Sequence, residues 1–182
     1  MTILGALPAG LIGIADAARR ALPPVHLWNP DHCGEIDIDI QADGVWMHER
    51  SPIGRKELVR LFSTVLRLDP DGYHLVTPVE KLAITVEDVP FRAIASERRG
   101  EDLVFTTDVG DEVVAGPDNP IRVEIDEAGT PRPYVHVRRG LEARIERAVF
   151  YELVEMAETE DEQLWVRSGG ERFSLGRLDG KA

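Results

Sequence analysis

Residues 35–40 have the sequence Glu-Ile-Asp-Ile-Asp-Ile, in which isoleucines alternate strictly with carboxylates. Successive side chains of a β-strand point to opposite faces, so this alternation predicts a strand with one buried and one solvated face. Asp43-Gly44 then predicts a hairpin turn into a second strand over residues 45–50. From Ser51 the apolar residues recur at helical spacing, which predicts an amphipathic helix that stops at Asp69-Pro70-Asp71-Gly72.

The same order of elements begins again after residues 116–120, which read Gly-Pro-Asp-Asn-Pro. Residues 121–125 alternate as residues 36–40 do, and a second helical pattern over residues 145–156 precedes a final hairpin. We therefore predict a strand-rich α+β chain built from two β-hairpin–helix–β-hairpin repeats. Two copies are too few for an open solenoid, so we expect a closed pair related by approximate two-fold symmetry.

The predicted organisation has three parts. Residues 1–24 are an N-terminal helical segment, residues 25–118 are the first repeat with inserted strands, and residues 119–182 are the second repeat. The apolar run over residues 3–15 lacks the basic flank of a signal peptide and is too short to cross a membrane. We expect an extra N-terminal helix over residues 10–22 that packs on the body of the protein or on a partner chain.

Composition narrows the class of protein. The chain has 182 residues, of which 43% are hydrophobic and 30% are charged, so disordered and collagen-like classes are disfavoured. A net charge of −12 repels nucleic acid and anionic membranes, and we predict neither as a partner. Cys33 is the single cysteine and cannot form an internal disulfide, which fits a reducing compartment. We therefore predict a cytoplasmic protein.

Two strand segments share the pattern aromatic-x-His-x-Arg, which places an aromatic ring, an imidazole and a guanidinium on one face of each strand. Such a face suits a carboxylate or phosphate, because the guanidinium fork binds both. The competing interpretation is that duplication preserved these residues as scaffold. The candidate ligand-binding residues are Trp46, His48, Arg50, Tyr134, His136, Arg138 and Arg139.

Other groups of polar residues are weaker candidates. The carboxylates on the outer face of the first strand suit a solvated surface better than a metal site, because alternation alone produces them. The loop residues His26, His32 and Cys33 match no zinc-binding spacing. Common catalytic and nucleotide-binding motifs are absent from the sequence. We predict no metal and no cofactor.

Six blocks of sequence carry a family resemblance, and they span residues 24–30, 34–37, 77–81, 87–91, 134–138 and 149–155. Together they resemble a bacterial family named domain of unknown function 1285, over residues 22–176. The resemblance implies a two-repeat mixed α and β fold in soluble proteobacterial proteins, with a role in signal transduction. It implies no catalytic residues, because the family has no established activity.

Three functions follow as expectations. The first is a ligand-binding or regulatory module that holds a small anionic molecule or a partner segment between the repeats. The second is an enzyme of unrecognised chemistry in which His48 or His136 acts as general base. The third is a protein-interaction scaffold, a homodimer that uses the apolar N-terminal helix.

Overall fold

A computed structural model of the chain describes residues 21–178. The chain divides into two compact units, Met1–Asp88 and Val89–Ala182. The boundary predicted between residues 118 and 119 falls inside the second unit. The N-terminal helix predicted over residues 10–22 lies, up to residue 20, outside the described residues. Within residues 21–178, neither helix has the length and apolar character needed to cross a membrane.

The first unit is built on one sheet. Its strands are β1 (His32–Ile40), β2 (Trp46–His48), β3 (Ser51–Pro52), β4 (Leu66–Asp69), β5 (Gly72–Val76) and β6 (Glu80–Val86). They form a six-stranded sheet in the order β3-β2-β1-β6-β5-β4. β1 runs parallel to β6, whereas the other neighbouring pairs are antiparallel. The alternation of β1 buries Ile38 and Ile40, as the sequence predicts.

Helix α1 (Lys56–Thr64) connects β3 to β4 in the first unit. Phe62 on this helix is buried, and its ring is stacked on that of Trp46 in β2. α1 is shorter than the sequence predicts, because Ser51 and Pro52 pair with β2 as strand β3. The helix therefore contacts β2 of the sheet through an aromatic pair.

The second unit contains a sheet with the same arrangement of strands. Its members are β7 (Phe91–Arg99), β8 (Asp102–Thr107), β9 (Glu112–Val114), β10 (Ile121–Ile125), β11 (Pro131–Arg138) and β12 (Leu141–Ile145). The order in the sheet is β10-β11-β12-β7-β8-β9. β7 and β12, which come first and last along the chain, pair in parallel, as β1 and β6 do in the first unit. Two similar, strand-rich halves in an α+β chain are therefore confirmed.

The second unit continues beyond this sheet. Helix α2 (Arg147–Glu155) follows β12 and leads into β13 (Glu158–Glu160), β14 (Gln163–Ser168) and β15 (Glu171–Arg177), which form a three-stranded sheet. The turn between β14 and β15 packs against the end of β9. There the Ser168 hydroxyl donates a hydrogen bond to the Ala115 carbonyl at 2.7 Å and accepts one from the Leu103 amide at 2.8 Å.

The equivalence of strands differs from the one that the sequence pattern suggests. Residues 121–125 alternate as residues 36–40 do, which predicts equivalent strands. However, β10 lies at the edge of its sheet, whereas β1 lies in the interior between β2 and β6. By position in the sheet, β1 corresponds to β7. Alternation reports which face of a strand is buried, but it does not report which strands become neighbours.

Candidate functional site

The predicted ligand-binding residues belong to two units. Trp46, His48 and Arg50 lie on β2 and in the turn that follows it, within the first unit. Tyr134, His136, Arg138 and Arg139 lie on β11 and in the turn that follows it, within the second unit.

Both ring nitrogens of His136 are bonded to the backbone. Nδ1 lies 2.8 Å from the Asp118 carbonyl oxygen, which can only accept, so Nδ1 carries the proton. Nε2 accepts a hydrogen bond from the Gly140 amide at 3.0 Å. The imidazole therefore ties two loops to β11, and neither nitrogen is available to a ligand without loss of a hydrogen bond.

Tyr134 is enclosed by two guanidinium groups. Its side chain is only 2% exposed, and Arg122 and Arg144 lie 4.1 Å and 5.2 Å from the centre of its ring. Arg122 also donates two hydrogen bonds to the carboxylate of Glu142, at 2.7 Å and 2.6 Å, and this pairing raises the pKa of Arg122. The tyrosine ring therefore forms cation–π contacts with two arginines of the same sheet.

Arg138 does not share a face with His136. The strand register shifts between them, so that His136 lies opposite Glu142 whereas Arg138 lies opposite Leu141, which is buried. Arg138 forms an ion pair with Asp111, and its guanidinium lies 5.0 Å from the centre of the Phe91 ring. The expectation that ring, imidazole and guanidinium share one face is therefore wrong for β11, because a bulge interrupts the alternation.

The corresponding residues of the first unit have fewer partners. Trp46 is 2% exposed, and its buried indole Nε1 has no acceptor among the described residues. His48, two residues further along β2, is half-buried, and its imidazole makes no hydrogen bond or ion pair with any part of residues 21–178. Arg50 is exposed in the turn to β3, and its guanidinium has no partner in the described chain either.

The turn that carries Arg50 has an unusual backbone. Glu49 and Arg50 both adopt positive φ, at 48° and 63°, although neither is glycine. This left-handed conformation is costly for residues with a side chain, by about 1–2 kcal/mol each. It is also the conformation that a two-residue hairpin turn of the favoured type requires. The turn therefore presents Arg50 at the tip of the β2–β3 hairpin.

A third group of side chains has the composition of a metal site. Ligand atoms of Asp69, Asp71 and His74 lie within 4.8 Å of one another. However, the Lys81 ammonium lies 2.7 Å from Asp69 Oδ2, and Arg67 donates to the same oxygen at 2.8 Å. These cations neutralise Asp69 and occupy the oxygen that would face a metal ion, so we interpret the group as an ion-pair network.

This network also anchors the segment that precedes the first sheet. Arg67 Nη1 donates to the carbonyl oxygens of Val25 and Trp28, at 2.9 Å and 2.8 Å, and so holds the 3-10 turn Val25–Leu27. The hydrogen bond from Arg67 lowers the pKa of Asp69 to about 2, with a further contribution from Lys81. Sequence reasoning missed this network, because its members come from three strands that only the sheet brings together.

The weaker candidates from the sequence stay apart. The described His, Cys, Asp and Glu side chains that lie close enough to share a metal ion do not include His26, His32 or Cys33. On the outer face of β1, burial raises the pKa of Asp39, and the nearby carboxylates of Glu87 and Asp37 raise it further. Mutual repulsion of this kind is expected of an acidic surface.

Comparison with known proteins identifies the family to which the chain belongs. Residues 23–89 match the model described as domain of unknown function (DUF1285), N-terminal domain, and residues 90–175 match the C-terminal domain of the same protein family. The chain belongs to the DUF1285 family. The two matched domains coincide closely with the two compact units. No curated protein matched the sequence.

Two crystal structures of DUF1285 family proteins resemble this chain. The protein from Silicibacter pomeroyi DSS-3 is 46% identical, with a TM-score of 0.83, and the match covers 95% of this chain and 98% of that one. The protein from Shewanella baltica OS155 is 26% identical, with a TM-score of 0.54, and the match covers 66% of this chain and 92% of that one. The family resemblance seen in the sequence blocks is thus confirmed.

Proposed function

We propose that this DUF1285 protein is a ligand-binding or regulatory module that holds a small anionic molecule at Trp46, His48 and Arg50. The observation that carries the proposal is the indole Nε1 of Trp46, a buried donor that finds no acceptor within residues 21–178. Tryptophan N–H groups usually find a partner when they are buried, and an unsatisfied one costs free energy. An anionic ligand supplies the missing acceptor.

The contrast between the two units supports this assignment. In the second unit the imidazole, the tyrosine ring and Arg138 are engaged by other groups of that unit. In the first unit the indole N–H, the imidazole of His48 and the guanidinium of Arg50 have no described partner. Groups that a fold leaves unsatisfied together are better explained by a binding site than by scaffold.

Trp46→Phe provides the sharpest test, because phenylalanine keeps an aromatic ring on Phe62 and removes the N–H donor. The wild-type protein is screened by thermal shift against organic carboxylates, phosphate monoesters and nucleotides. We expect at least one anion to raise the melting temperature, and the rise to disappear in Trp46→Phe. Trp165→Phe removes an indole from the second unit and serves as the matched control, with the rise retained. A panel without effect, or an equal rise in Trp46→Phe, contradicts the proposal.

The enzyme alternative now depends on His48 as general base, because both nitrogens of His136 are bonded to the backbone. The remaining expectations are retained as proposals. They are a role in signal transduction, a two-fold relation between the repeats, a protein-interaction scaffold that forms a homodimer, and a cytoplasmic location.

A further inference from the structure

The segment that precedes the first sheet, residues 23–28, is attached to that sheet at few points, and we call it the anchor segment. Within it the side chains of Pro23 and Val25 are buried. Its own amides donate to carbonyl oxygens of the same segment. Within residues 21–178, the hydrogen bonds that join it to the sheet are the two from Arg67 Nη1 to the carbonyl oxygens of Val25 and Trp28. Two buried side chains and one guanidinium group therefore hold the segment.

The groups that receive the anchor segment are fixed independently of it. Arg67 lies on β4 and donates through Nη2 to Asp69 at 2.8 Å, which leaves Nη1 for the two carbonyl oxygens. Lys81 of β6 holds the same carboxylate at 2.7 Å. A guanidinium held in this way loses little further freedom when acceptors arrive. The contact is therefore preorganised for any segment that presents two carbonyl oxygens three residues apart.

The link between the anchor segment and β1 is short and weakly tied. It consists of residues 29–31, which read Asn-Pro-Asp. The side chains of Asn29 and Asp31 are exposed and make no hydrogen bond or ion pair within the described part of the chain. Short hinge loops favour the exchange of a segment between identical chains, because every contact made within one chain can also be made between two.

We propose that the first unit also binds the anchor segment of a second copy of this chain, so that two copies exchange residues 23–28 and form a dimer. The occupant is identified by the contact itself, because the segment seated on Arg67 has the sequence of this chain. Leu27 of the segment is 68% exposed and Leu68 of β4 is 38% exposed, so both partners offer apolar surface that a second copy can cover. This inference goes beyond the anion site at Trp46 and does not depend on it.

In the wild type, the chain's own anchor segment competes with that of a second copy. A short tether gives the chain's own segment an effective concentration in the millimolar range, so the wild-type dimer is expected only at high protein concentration. Two complementary variants of the full chain remove this competition. Val25→Asp impairs the segment and leaves Arg67 free to bind another, whereas Arg67→Gln impairs the receiving contact and leaves the segment intact.

The test mixes the two variants in equal amounts and measures their mass by sedimentation velocity. Only the mixture can form one intact contact between chains, because the Val25→Asp chain receives the segment of the Arg67→Gln chain. The control replaces Arg67→Gln by the double variant Val25→Asp, Arg67→Gln, which has no intact segment to donate. His26→Asp is the matched control for the added charge, because His26 is an exposed residue of the same segment. Hydrogen exchange of residues 23–28 reports whether each variant releases its own segment.

At a concentration on the order of 100 µM, we expect the mixture to approach twice the mass of one chain. Each variant alone, the control mixture and His26→Asp mixed with Arg67→Gln should remain monomeric. Val25→Asp and Arg67→Gln should each exchange the amides of residues 23–28 at least about 10-fold faster than wild type. If either variant fails to fold, Val25→Thr or Arg67→Lys takes its place.

Three results would overturn the proposal. A mixture that stays monomeric although both variants are folded and exchange faster shows that the segment does not bind in trans. Dimers that form equally in the control mixture, in the His26→Asp mixture or in a single variant show that association does not use this contact. Unchanged hydrogen exchange in folded variants shows that Val25 and Arg67 do not hold the segment.

Discussion

The indole ring of Trp46 lies on the phenyl ring of Phe62, with the ring centroids 6.3 Å apart and the ring planes 12° from parallel. Both side chains are 2% exposed, so the contact joins β2 to α1 in the interior of the first unit. The indole N–H of the same tryptophan is buried and finds no acceptor among residues 21–178. Stability and the proposed binding site therefore depend on the same aromatic pair.

Phe62→Ala should strongly destabilise the protein. Loss of a buried aromatic ring typically costs about 3–5 kcal/mol, from lost burial and from the cavity that remains. Chemical denaturation gives the free energy of unfolding, and Tyr151→Ala, which removes a largely exposed aromatic residue of α2, should change it by less than about 1 kcal/mol. Similar small effects for both variants would show that the stack contributes little.

Gly169→Ala should be more destabilising than Gly170→Ala. Both glycines have positive φ, at 57° and 78°, so both variants incur the left-handed penalty of about 1–2 kcal/mol. At Gly169 a Cβ would also approach the Ala115 oxygen to 2.8 Å and the Gly116 Cα to 2.9 Å, whereas at Gly170 it would meet nothing within 4 Å. The extra overlap should add about 1–3 kcal/mol to the loss of unfolding free energy. Equal losses would mean that the turn between β14 and β15 does not pack closely on β9.

Asp69 should stabilise the first unit above mildly acidic pH. Its pKa is lowered from 3.8 to about 2, chiefly by the hydrogen bond from Arg67. A lowered folded-state pKa means that the stabilisation is complete above the unfolded value and is lost as the pH falls from about 4 to about 2. The shift corresponds to about 2 kcal/mol. Unfolding measured as a function of pH should show this loss in the wild type and a flatter acid profile in Asp69→Asn, and parallel profiles would contradict the assignment.

Asp39→Asn should stabilise the protein at neutral pH. Burial raises the pKa of Asp39, with added repulsion from Glu87 and Asp37, so the folded state favours the protonated form. The sign is opposite to that of Asp69, because stability is greatest below the unfolded pKa and falls as the pH rises through the folded value. The amide removes this loss, and the melting temperature at pH 7 should rise. If Asp39→Asn instead lowers the melting temperature at pH 7 more than it does at pH 3.5, the carboxylate is needed in its charged form.

Several local features could be predicted from the sequence for simple reasons. The alternation of residues 35–40 predicted β1 and its buried isoleucines, and Asp43-Gly44 predicted the turn that follows. The spacing of apolar residues predicted α1 and placed Phe62 on its buried face. Each of these depends on interactions between residues that are close in the chain, so local periodicity is sufficient.

The candidate site could be predicted only in part. The aromatic-His-Arg pattern drew attention to Trp46 and His48, but the same pattern on β11 belongs to side chains with partners in their own unit.

By itself the sequence determined local elements such as β1 and α1 and their buried faces, because these follow from the geometry of neighbouring residues. Tertiary structure alone decided that β1 pairs in parallel with β6, and β7 with β12, since hydrogen bonds between distant segments leave no periodic trace. It also decided which imidazole is bonded to the backbone and which indole is left without an acceptor. Those outcomes depend on where loops and helices dock, and they separate the candidate site from the scaffold.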